Sequence, residues 1–65
     1  MLNVMNLKKI GKLIKDARKK SQLTQKQVAY KVGLSRATIV AVEQGKTVPR
    51  YDKMVRLSKL LSLEG

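Results

Sequence analysis

Between positions 25 and 44 the chain reads QKQVAYKVGLSRATIVAVEQ, with apolar residues at Val28, Ala29, Val32, Leu34, Ile39 and Val42. Positions 28, 29 and 32 recur as i, i+1, i+4, and 39 and 42 as i, i+3. Each half therefore carries one buried stripe at helical spacing. Thr24 with Gln27 reads as a capping box: the Thr hydroxyl accepts from the Gln27 backbone and the Gln side chain reaches back. This predicts a helix over residues 25–32, ended by Gly33, which takes a left-handed conformation cheaply. Ser35 then caps a second helix over residues 36–44, closed by Gly45. Upstream, Leu7, Ile10, Leu13, Ile14 and Ala17 form the stripe of a helix over residues 7–20. Asn6 is its expected N-cap, and residues 1–5 are expected to form a loose tail. Downstream, Pro49 breaks the chain before a last helix over residues 51–62, whose positive start suits Asp52.

Two helices joined by so short a turn must cross closely, and the small Ala29 permits it. Ser35, Arg36, Ala37, Val40, Ala41 and Gln44 are then left on the outer face of the second helix. That is the arrangement of a helix-turn-helix, whose second helix lies in the DNA major groove. The order Gln25, Ala29, Gly33, Ile39, Val42, Glu43, Gly45 resembles the phage repressor and Cro family, also called the Xre family. The resemblance runs from about Ile10 to Leu61 and implies an all-α, lambda-repressor-like domain of four helices, or five, in one unit over residues 1–65.

The resemblance also implies roles. Arg18 pairs with Glu43 in a partly buried ion pair that ties the first helix to the third. Gln25 fixes the domain on a DNA phosphate. The loop after Gly45 follows the backbone beside the groove, so Lys46 and Arg50 are expected phosphate contacts. Tyr51, Met54, Val55, Leu57, Ser58 and Leu61 match the inward face of the closing helix. Two positions depart from the family. Gln22 stands where a left-handed Gly is usual, a strain of about 1 kcal/mol if that conformation is kept. Arg50 replaces the usual capping Ser or Asp, leaving the last helix start less well satisfied.

Composition narrows the chemistry. Fifteen Lys and Arg against four Asp and Glu give a net charge of +11 over 65 residues. So one-sided a charge costs self-repulsion and points to a polyanionic partner, nucleic acid first. The chain holds no Cys and no His, which removes disulfides, most metal ligand sets and most nucleophile–base pairs. Its acids, Asp16, Glu43, Asp52 and Glu64, form no clustered pair, so no enzyme and no cofactor is expected. A basic helix such as residues 7–20 can mark a membrane surface, but the two tyrosines are the only aromatic anchors. With no long apolar run, the expected location is cytoplasmic, on the nucleoid.

On the reading face, Arg36 is the strongest candidate for direct readout, since an Arg can take guanine O6 and N7 with two hydrogen bonds. Ser35 and Thr38 can reach phosphates or base edges, and Gln44 closes the face. Ala37, Val40 and Ala41 are small apolar groups suited to thymine methyls. The expected function is sequence-specific double-stranded DNA binding by a transcriptional regulator, a repressor for preference. It would act as a homodimer on a near-palindromic operator. The alternative is a protein-interaction module, such as an antitoxin or adaptor domain, using the Val40–Ala41 face or Leu60 and Leu63.

Overall fold

The chain's computed structural model describes residues 4–63, and side chains from residue 6 to 63. It contains four helices: α1 Val4–Lys20, α2 Gln25–Val32, α3 Arg36–Glu43 and α4 Tyr51–Leu60. α1 starts a turn earlier than its apolar stripe suggests, because no Gly or Pro interrupts residues 4–6 and the helix simply propagates. Asn6 thus lies inside α1 rather than capping it, and Val4 and Met5 belong to the helix, not to a tail. The rest of the expected tail, residues 1–3, lies outside the described residues. α3 and α4 end slightly short of expectation, with Gln44 and Leu61 as their caps.

All four helices close the same way. A left-handed residue stands at or just beyond the C-terminal end of each, at Gln22 (φ 61°), Gly33 (φ 78°), Gly45 (φ 75°) and Ser62 (φ 56°). The next amide then reaches back five residues: Leu23 to Arg18, Leu34 to Ala29, Lys46 to Ala41 and Leu63 to Ser58. Orphan carbonyls of the last turn are satisfied in this way. Gln22 therefore keeps the conformation that Gly normally supplies, and Ser62 does so without having been anticipated. The start of α4 has no side-chain cap at Arg50, as its residue type implies.

The core is Ile14 from α1, Val28, Ala29 and Val32 from α2, Ile39 and Val42 from α3, and Leu57 and Leu61 at the α4 end. Two residues assigned to inward stripes are not there. Leu13 is 57% exposed and Tyr51 is 85% exposed. α1 buries Gly11, Ile14 and Arg18, which rotates Leu13 to the flank. Tyr51 opens α4 and points to solvent. Gly11 explains the rotation: a Cβ there would lie 2.4 Å from the Val42 carbonyl oxygen and 2.9 Å from that of Glu43. α1 and α3 thus meet backbone to backbone, a close approach expected from sequence only at Ala29. Gly45 repeats it, its Cβ position lying 2.8 Å from Lys8 Cα. No helix among the described residues is long and apolar enough to cross a membrane.

Candidate nucleic-acid interface

α3 owes its start to Ser35, whose extended backbone (φ −78°, ψ 156°) lets its Oγ accept from the Thr38 amide at 3.1 Å. The two hydroxyls also bond each other at 2.9 Å, so both are engaged in the cap. α2 starts on the capping box read from the sequence, with Gln27 N–H to Thr24 Oγ1 at 3.0 Å and Thr24 N–H to Gln27 Oε1 at 2.8 Å. Neither helix carries an acid in its first turn, so their positive dipole ends remain uncompensated.

Behind α3 lies the ion pair. Arg18 Nε donates to Glu43 Oε2 at 2.6 Å and Nη2 to Oε1 at 3.2 Å, while Nη1 donates to the Leu23 carbonyl at 2.8 Å. Both residues are buried, at 8% and 9% exposure. The two-pronged geometry and the third bond satisfy the pair, and no buried side-chain polar atom among the described residues lacks a partner. Gln25 joins this pair: its Nε2 donates to Glu43 Oε1 at 3.1 Å. Its Oε1 accepts from Arg36 Nη2 at 3.5 Å. A chain of polar contacts therefore leads from α1 through the end of α3 and the start of α2 to the first residue of α3.

Of these groups, Arg18, Gln25 and Arg36 line a cleft of about 450 Å³, together with Gln22, Leu23, Thr24 and Lys26. Its charged walls Lys26 and Arg36 are cationic, while the Arg18 charge is met by Glu43. Lys26 was not singled out from sequence, although its place beside Gln25 at a helix start was the available signal. The Gln25–Glu43 bond had none, since it spans 18 positions. Of the remaining site residues, Arg36, Ala37 and Gln44 are exposed on α3, and Lys46 and Arg50 are exposed in the loop beyond it. Val40 and Ala41 are half-buried rather than outward. They flank the buried Ile39 and Val42 on so short a helix that the core reaches their inner sides. Thr38 is likewise half-buried.

The family model described as helix-turn-helix matches residues 14–64. The chain belongs to the Xre-type helix-turn-helix family. This helix-turn-helix chain is 37% identical over 57 residues to the ImmF control region 10 kDa protein of Bacillus phage phi105, covering 88% of the chain and 63% of that protein. It is 38% identical over 52 residues to an HTH-type transcriptional regulator of Methanothermobacter thermautotrophicus, covering 80% and 75%. It is 34% identical over 50 residues to the HTH-type transcriptional regulator YqaE of Bacillus subtilis, covering 77% of the chain and 43% of that protein.

Proposed function

We propose that this helix-turn-helix domain binds double-stranded DNA at preferred sequences and regulates transcription, acting as a repressor. The observation that carries the reading is Arg36, exposed at the start of α3 and bordering the cationic cleft at the start of α2. Set within a family whose relatives are named as transcriptional regulators and a phage control-region protein, that arrangement suits a groove reader.

The steps follow from the layout. A net charge of +11 draws the domain to DNA without regard to sequence. The amide groups opening α2, with Gln25 and Lys26, meet a phosphate on one side of the groove, and Lys46 and Arg50 meet the backbone on the other. α3 then lies in the groove, where Arg36 takes a guanine and Ala37 contacts a thymine methyl. Gln44, at the far end of the same edge, reaches the next base or phosphate. Val40 and Ala41 offer only their outer halves, which weakens the protein-interaction alternative that depended on a broad apolar face. Two copies related by a two-fold would set their α3 helices about 34 Å apart on a near-palindromic operator. Such a protein works in the cytoplasm, on the nucleoid.

The test is selection of bound DNA from a random pool at low and moderate salt. An inverted repeat with a guanine in each half-site supports the reading. Recovery of no motif, with binding that vanishes as salt rises, overturns it.

A further inference from the structure

Arg36, Lys46 and Arg50 account for only a small part of fifteen Lys and Arg. Six lysines lie on α1, at 8, 9, 12, 15, 19 and 20. They divide into two edges. Gly11 and Arg18 turn toward α3, the first against the Val42 and Glu43 carbonyls and the second bonded to Glu43. Lys8 lies beside Gly45, at the loop that carries Lys46. By the 3.6-residue period, Lys15 stands one turn beyond Gly11 on this same edge, two turns from Lys8, and Lys19 follows one turn later. The opposite edge carries Leu13, Lys9 and Lys20, with Leu13 and Lys20 facing Leu61 and Leu63 at the end of α4.

We propose that the α3-side edge of α1, Lys8 and Lys15 with Lys19 continuing the row, is a second phosphate-binding strip that grips DNA backbone outside the groove entered by α3. Both ends of this edge are pinned to the reading element, the front by the Gly45–Lys8 contact and the rear by the Arg18–Glu43 pair. Lys12, on the same side, is committed to Asp16 at 2.9 Å. No carboxylate among the described residues pairs with Lys8, Lys15 or Lys19, and all three are exposed. Lys8 and Lys15 are separated by about 10 Å along the helix axis, roughly three nucleotide steps of one strand at 3.4 Å each. The strip rests on the proposed DNA binding and enlarges its footprint.

The experiment compares two double variants of the same helix that remove equal charge. Lys8→Gln with Lys15→Gln takes charge from the α3-side edge, and Lys9→Gln with Lys20→Gln takes it from the other. Lys and Gln have similar helix propensity, so both should fold, which far-ultraviolet circular dichroism checks. Affinity for a selected duplex, and for random duplex, is followed against salt. The first variant should lower the slope of log affinity against log salt by about 1.8 units, with the selected sequence unchanged. The second should lower it by less than half as much. Equal losses would mean that net charge alone matters and would overturn the strip, as would no change in either. Failure of sequence reading shows separately, in the absence of any selected motif from the unmodified chain.

Discussion

Gly11→Ala sets two known effects against each other, and the structure decides the sign. Within a helix the change should stabilise by about 0.8–1 kcal/mol, because Ala gives up less backbone freedom than Gly. At this site, however, the new methyl would stand 2.4 Å from the Val42 oxygen and 2.9 Å from the Glu43 oxygen. Both obstacles are backbone, so no side-chain rotation relieves them. Ordinary contact begins near 3.4 Å, so α1 must retreat from α3 by about 1 Å. Overpacking of this kind costs about 1–3 kcal/mol. A retreat of that size also pulls Arg18 away from Glu43, whose shorter bond is 2.6 Å. The steric and polar losses together exceed the propensity gain, for a net loss of about 2 kcal/mol.

A 65-residue domain holds only about 3–10 kcal/mol in total, so this loss is large. Thermal unfolding followed by circular dichroism should show Tm lowered by about 8–16 °C. Lys15→Ala, exposed on the same helix, should stay within a few tenths of a kcal/mol of the unmodified chain, since Lys and Ala differ little there. If Gly11→Ala matched or raised the Tm, α1 and α3 would not touch at this glycine, and the close approach would be wrong.

Arg18→Met strands the Glu43 carboxylate with one donor, Gln25, and should cost about 3–5 kcal/mol in denaturant unfolding. Pairing it with Glu43→Leu should recover more than half of that, and a double variant no better than the single would contradict the stranded-charge account. In binding assays, Arg36→Ala should relax preference at one or two base positions, whereas a uniform loss over all sequences would make it a phosphate contact. Lys46→Ala should weaken every sequence alike and flatten the salt slope by about one unit. The Asp16 carboxyl is held below its ordinary range by the Lys12 hydrogen bond first, with the Lys12, Lys19 and Lys15 charges adding. A depressed carboxylate contributes above its unfolded value of 3.8 and loses that contribution as pH falls through the folded value. The Tm difference between the unmodified chain and Asp16→Asn should accordingly be flat near neutrality and close in acid; a difference that widens in acid would refute the assignment.

What could be read from the sequence was local. The Thr24–Gln27 box, the Gly33 turn and the Ser35 cap each lie within a few residues, and each is found where its side-chain chemistry demands. The Arg18–Glu43 pair spans 25 positions and was reached only because the family order predicts it. Contacts with neither aid were missed. Gly11 carries no local signal, because what it permits depends on α3 lying against it. Leu13 fits an apolar stripe at i+3 from Ile10, but the stripe's centre is set by what α1 meets, and it meets α3 through Gly11 and Arg18. Val40 and Ala41 were judged outward by their spacing, whereas the core of so small a domain reaches partly around an eight-residue helix.

The polar chain behind α3 is graded, and the grading bears on how Arg36 could select a base. At its buried end the bonds are short and charged: 2.6 Å between Arg18 and Glu43, then 3.1 Å from Gln25 to the same carboxylate. At its exposed end the Arg36 contact to Gln25 is 3.5 Å, at the limit of a hydrogen bond. Glu43 therefore fixes the Gln25 amide by taking its nitrogen and turning its oxygen toward α3. That oxygen draws Arg36 to the mouth of the cleft but holds it weakly, at a cost of release below about 1 kcal/mol. A guanine offering two hydrogen bonds is worth about 1–3 kcal/mol of discrimination and outweighs that hold. A firm Arg36–Gln25 bond would have subtracted from the discrimination, and an unanchored Gln25 would have left the arginine undirected. On the proposed DNA-reading role, buried firmness with exposed looseness aims Arg36 without committing it.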